Sequence, residues 1–299
     1  MNRQRFVQLS IGGLAGVHSP TLPLAAWGSL TGPFRQELTV DAGRLARSMR
    51  MLATFGANDA GGIDRVAFSD ANVEALDWIA RLLSDAGFST EIDLAGNLIA
   101  RKAGTDSSLL PLMFGSHIDS VPGGGNYDGQ VGSMSSVEVA ATFAAAGIVT
   151  RHPLEIAIFS NEEGGKTGSR ALAGEVEAFE LDIETASGLT IGEGLKRLGG
   201  DPDRLGDARR ERGSLAAFLE LHIEQGAVLD ADGFDIGIVE GIVGIMRWNV
   251  TVDGVNLVAD PSATAVGFAT GVSAPGATIE RVDFDARGED LLGEGRAEA

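Results

Sequence analysis

Three short apolar runs, at residues 109–114, 154–159 and 218–223, constrain this chain more than any other feature. The first two are nearly unbroken, and the third is interrupted only by Glu220 and His222. Runs of this length without polar alternation suit strands buried on both faces of a mostly parallel sheet. Residues 129–147, rich in Ala, Val and Ser, lie between the first two runs and read as a crossover helix. The alternation predicts an α/β domain with helices on both faces of the sheet.

Other elements follow from local pattern. Residues 69–88 read as an amphipathic helix capped by Ser69 or Asp70, with Val73, Leu76, Ile79, Ala80 and Leu83 on one face and Gly87 as the stop. Residues 90–93 and 97–100 read as short strands around a turn at Gly96. From 246 to 252 the pattern becomes strict alternation. Met246, Trp248, Val250 and Val252 face one way, Arg247, Asn249 and Thr251 the other, as in an antiparallel strand with one wet face. Beyond Gly254 the chain is rich in Gly, Ala, Asp and Arg with little periodicity, and reads as weakly structured. At the other end, Arg3 and Arg5 precede an apolar run at 6–17 and the small pair Ala25 and Ala26, the order of an export signal. It is similar to a twin-arginine signal with Gln4 in place of one arginine, which predicts an exported, periplasmic protein; the alternative is a cytoplasmic leader. No later stretch has the ~20 consecutive apolar residues of a membrane span.

Composition narrows the chemistry. A formal charge of −19 is the opposite of what phosphate neutralisation needs, so a nucleic-acid partner is not expected. The chain has no cysteine, which excludes disulfides, thiolate nucleophiles and iron–sulfur clusters. Any metal must then be held by nitrogen and oxygen, which suits zinc, manganese, cobalt or nickel.

Of the four histidines, His18 lies in the leader and His152 precedes Pro153 ahead of a strand, a surface position. His117 and His222 fall at the ends of apolar strands beside carboxylates, where ligands bind in open α/β sheets. Asp119, two residues past His117, can lie near its ring and fix its tautomer. Asp128, in a glycine-rich segment just before the crossover helix, suits either a helix cap or a metal ligand. Glu162 and Glu163 directly follow the buried run at 154–159, so one can hold a cation while the other faces a substrate as a base. These residue types supply a two-metal hydrolase site, whereas no Gly-x-Ser-x-Gly elbow exists for a serine nucleophile.

The segments FGSHIDSVPGGGNYDG, SNEEGGKTGSRALAG and LELHIEQGAVLD, followed by IGIVEGIVGIMRWNVTVDG, resemble the N-carbamoyl-amino-acid hydrolase and allantoate amidohydrolase family within the aminoacylase-type zinc metallopeptidases. The resemblance runs from about Leu38 to Gly254. It implies hydrolysis of a ureido or amide C–N bond with two divalent ions, zinc or manganese, with cobalt or nickel as alternatives. It implies N-carbamoyl-L-amino acids as substrates, with allantoate, β-ureidopropionate or N-acyl amino acids as alternatives. His117 and His222 would bind one ion, Asp128 would bridge both, and Glu163 would bind the other. Glu162 would be the general base, Asp119 would stand behind His117, and Gln225 would contact substrate. Family members form homodimers through a smaller α+β lid domain. The implied layout is a leader at 1–33, the N-terminal portion of a metallopeptidase-type catalytic domain at 34–243, and the start of a lid with an aberrant tail at 244–299. After Gly254 this chain has VNLVADPSATAV where the family carries a histidine-containing segment, and the family's late histidine ligand is also missing. The expectation is a truncated or frameshifted chain with an incomplete second metal site, impaired as an enzyme; the alternative is a non-catalytic remnant.

Overall fold

The computed structural model describes residues 7–10, 38–242, 249–252 and 282–285. The chain divides into two compact units, residues 1–240 and 241–299.

In the first unit the order is β1 (Val7–Ser10), α1 (Ala42–Leu52), α2 (Asp70–Asp85), β2 (Ser89–Ile92), β3 (Leu98–Lys102), β4 (Leu112–His117), α3 (Gln130–Ala145), β5 (Leu154–Phe159), α4 (Thr167–Ala173), α5 (Ile191–Leu198), β6 (Ala217–His222), α6 (Val228–Asp232) and β7 (Ile236–Val239). The second unit contains an antiparallel pair, β8 (Asn249–Val252) and β9 (Val282–Asp285). The alternating segment 246–252 is thus an antiparallel strand over its described part, whereas β9 falls in a tail expected to hold little regular structure. The export reading falls almost wholly outside the described residues; Val7–Ser10 is a strand beside β6 and β7. Among the described residues no helix is long and apolar enough to cross a membrane.

The sheet runs β2-β3-β5-β4-β6-β1-β7. Its centre, β5-β4-β6, is parallel, and β2, β3 and β1 add antiparallel pairings, so the sheet is mixed around a parallel heart. Leu112 pairs with both Leu154 and Ala217, and His117 pairs with Phe159. The same offset carried forward sets His117 level with His222.

The strand alternation separates two apolar layers. Leu98, Ala100, Leu154, Ile156 and Ile158 join buried residues of all of α1 to α5 in one large cluster. On the opposite face Ile99, Met113 and Ala157 form a small cluster with Phe159, Leu215 and Phe218, none of them a helix residue. Helices were expected on both faces; among the described residues their apolar stripes converge on one. β6 accordingly is half-buried rather than fully buried, with Leu219 38% exposed.

Local chemistry explains the individual helices. Ser69 Oγ accepts from the Asn72 N–H at 3.2 Å, Leu76, Ile79 and Leu83 turn inward, and α2 ends before Gly87 at φ +82°. α1 begins at Asp41, whose carboxylate accepts from the Arg44 N–H at 2.8 Å. α3 is buried along most of its length and carries small residues where it crosses the sheet. A Cβ at Gly132 would stand 2.2 Å from the Leu221 carbonyl oxygen and 2.8 Å from Ser116 Cβ. Only glycine lets α3 lie this close to β4 and β6. Gly132→Ala is therefore expected to lower stability by about 1–3 kcal/mol through overpacking. Thermal unfolding followed by circular dichroism checks this, at roughly 2–4 °C per kcal/mol for a domain of this size.

Candidate metal centre

β4, β5 and β6 are parallel, so their carboxyl ends lie together at one edge of the sheet. His117 closes β4 and His222 closes β6, and their rings stack with centroids 6.2 Å apart at 28°. Asp128 arrives from the start of α3. His222 Nε2 lies 3.1 Å from Asp128 Oδ1, and His117 Nε2 lies 4.0 Å from the same oxygen. Ligand atoms of His117, Asp128 and His222 all lie within 4.8 Å of one another.

Each histidine is oriented by its own chain. His117 Nδ1 lies 3.1 Å from the Asp119 carbonyl oxygen, and His222 Nδ1 lies 2.8 Å from that of Ile223. An Nδ1–H donated to a carbonyl leaves the Nε2 lone pair free, the arrangement of metal-binding imidazoles. The backbone supplies a cradle as well. Gly129 has φ +67°, and a Cβ there would stand 2.2 Å from His117 Nε2. Gly129, without any side-chain capping bond, is also the N-cap of α3, so Asp128 is not the helix cap and its carboxylate faces the imidazoles instead. Two imidazole nitrogens and a carboxylate fit zinc or another borderline divalent ion.

The remaining candidates surround this group. Glu162 Oε2 lies 3.7 Å from His117 Nε2, and Lys166 Nζ lies 3.8 Å from Glu162 Oε1. Gln225 donates through Nε2 to Asp128 Oδ2. Asp119, 1% exposed, has its Oδ1 3.5 Å from His117 Nδ1. Its carboxylate also accepts the backbone N–H of Glu162 at 3.3 Å and of Glu163 at 3.1 Å. Asp119 therefore ties the end of β4 to the end of β5, a role that spacing alone does not reveal. Glu163 lies outside the close three-residue group. Asn161, Lys166 and Gln225 are non-glycine residues at φ +48°, +61° and +55°, so backbone strain collects around the cluster. His152 bonds to the Leu110 carbonyl at the opposite end of β5, and His18 lies outside the described residues. A cavity of about 240 Å³ among α1, α2 and α3, lined by Arg44, Leu82, Met134 and Glu138, shares no residue with the cluster.

The charges are mutually dependent. Burial works to lower the His117 pKa, but Asp119, Glu162 and Asp128 together raise it to about 9. The hydrogen bond to Asp128 raises His222, and the hydrogen bond to His222 holds Asp128 below its ordinary value. Burial raises Glu163; His117 opposes that, and the carboxylates of Asp128, Glu162 and Asp119 add to it.

A family model described as peptidase family M20/M25/M40 matches residues 113–289, and the chain belongs to that family. It is 41% identical over 216 residues to N-carbamoyl-L-amino acid amidohydrolase of Geobacillus stearothermophilus, covering 71% of this chain and 53% of the relative. It is 32% identical over 228 residues to ureidoglycolate hydrolase of Arabidopsis thaliana, covering 73% of this chain and 48% of the relative. Among solved structures it matches a hydantoinase/carbamoylase family amidase from Burkholderia ambifaria at 38% identity and a TM-score of 0.59, over 66% of this chain and 48% of that one. The chain spans about half the length of the curated relatives it matches.

With its pKa near 9, His117 carries a proton at neutral pH that a metal ion has to displace. Zinc affinity should therefore rise with pH up to about 9, by about tenfold per unit for each proton displaced. Competition with a chromophoric chelator between about pH 6 and about pH 8 checks it, and a flat profile contradicts it.

Proposed function

We propose that this chain is a metal-dependent amidohydrolase acting on linear ureido or amide C–N bonds, with N-carbamoyl-L-amino acids as substrates. The observation that carries the reading is the group of His117, Asp128 and His222, with both Nε2 atoms turned toward one carboxylate and Glu162 3.7 Å from His117. The relatives support the substrate class, since two of them are by name an N-carbamoyl-L-amino acid amidohydrolase and a ureidoglycolate hydrolase. Allantoate, β-ureidopropionate and N-acyl amino acids are the alternatives that share the site chemistry.

In this reading His117, Asp128 and His222 hold one divalent ion, and Asp128 with Glu163 begins a second, weaker position. Zinc or manganese, when bound, supplies positive charge that polarises the scissile carbonyl and acidifies water. Glu162 takes the proton of the attacking water and delivers it to the leaving nitrogen. Asp119 acts through His117, whose ring it orients, and through the Glu162–Glu163 backbone, which it holds. Gln225, bonded to Asp128, contacts the substrate. Export through the leader belongs to the same reading and rests on the order of charge and apolar residues at 1–33.

A second reading is favoured by one observation: the close ligand group contains three residues, enough for a single ion. A one-metal protein without turnover would then result. Elemental analysis after exposure to zinc or manganese, together with ammonia release from N-carbamoyl-L-amino acids, separates the two readings. The enzyme reading expects metal retention and turnover in the wild type. It expects Glu162→Gln to keep the metal while losing about 10²–10⁴-fold in rate, as removal of a general base does. His222→Ala should lose the metal itself. Metal-loaded wild type with no hydrolysis of any of these substrates would leave the one-metal reading standing.

A further inference from the structure

Arg65 is a charged residue that the hydrolytic scheme does not use, and it is 0% exposed. A buried guanidinium is costly unless its donors are matched; Nε and Nη1 have partners that show what holds the group there, while the buried Nη2 has none among the described residues. Nε donates to the Ile118 carbonyl at 2.7 Å. Nη1 donates to the Leu52 and Phe55 carbonyls, each at 2.8 Å, and so caps the end of α1, where helix carbonyls lack intrahelical partners. Burial lowers the Arg65 pKa to about 10, and the Asp119 charge opposes that fall, so the group remains cationic at neutral pH.

The Ile118 peptide sits between His117 and Asp119. The surrounding backbone holds the same segment from the other side. The Ser120 N–H donates to the Arg65 carbonyl at 3.0 Å, Ser120 Oγ donates to the Ile63 carbonyl at 3.1 Å, and Ile63 and Gly124 exchange two N–H bonds at 3.0 Å. Residues 63–65 thus form a bracket on the 118–124 loop, and Arg65 is the part of it that crosses to α1.

We propose that Arg65 is a positioning residue for the metal centre: it fixes the Ile118 peptide plane between His117 and Asp119, and so sets His117 and, through Asp119, the Glu162–Glu163 backbone without touching the ion. The inference rests on the reading that His117, Asp128 and His222 bind a divalent ion. Lysine cannot reproduce the guanidinium's contacts, because one ammonium cannot serve the Ile118, Leu52 and Phe55 carbonyls in their fixed directions.

The test compares zinc affinity, by chelator competition, in wild type, Arg65→Lys, Arg65→Gln and a control, Leu83→Ala, that destabilises the distant core of α2. Thermal unfolding of the metal-free proteins provides the stability scale. Arg65→Lys and Arg65→Gln should bind zinc about 10–100-fold more weakly, as loss of an outer-shell support does, while Leu83→Ala keeps wild-type affinity despite its lower Tm. Arginine variants that bind no worse than Leu83→Ala overturn the proposal. If neither arginine variant folds, Arg65 serves the fold rather than the site, and the proposal is likewise overturned. Wild type without zinc affinity would instead overturn the metal reading on which it rests.

Discussion

The close passage of α3 over β4 and β6 is the constraint on which the centre depends. Gly132 brings the helix against the Leu221 carbonyl and Ser116, and Gly129, its N-cap, lies against the His117 ring. A side chain at either position would separate helix from sheet by the width of a methyl group. Asp128, which immediately precedes the helix, would then be lifted away from both imidazoles. The site is therefore an outcome of backbone packing: two parallel strands bring two histidines level, and a glycine-lined helix start lowers a carboxylate between them.

The electrostatics complete what the packing begins. Four carboxylates, those of Asp119, Asp128, Glu162 and Glu163, act on His117 or share its surroundings, and the imidazoles answer by holding protons more tightly. A cation arriving there exchanges with protons already stabilised by the same field. The acidic character of the whole chain, −19 in formal charge, acts in the same direction by attracting cations and repelling phosphates.

Much of the fold was legible because periodicity and burial coincide. The run at 154–159 is β5 residue for residue, and α2 and α3 lie within the segments whose apolar spacing marked them. β4 is displaced from its apolar run, which spans 109–114, to Leu112–His117. Pro111 cannot donate to a ladder, and Gly115, which looks like a turn residue, sits mid-strand because a Cβ there would stand 1.9 Å from the Ala157 carbonyl oxygen of β5. α1 and α5 were not read, although α5 carries a capping box between Thr190 and Glu193 that a local scan would find. In the site, His117, Asp128 and His222 were marked as strand-end or helix-start residues, and they meet. Arg65 and the clasp made by Asp119 were invisible, because both act through backbone carbonyls and N–H groups that no residue pattern encodes.

The two oxygens of Asp128 are engaged differently: Oδ1 is shared by two rings, and Oδ2 has the Gln225 amide as its hydrogen-bond donor. The carboxylate thus enters the cluster with its two sides unequal, one turned to a pair of rings and the other clasped by an amide on left-handed backbone.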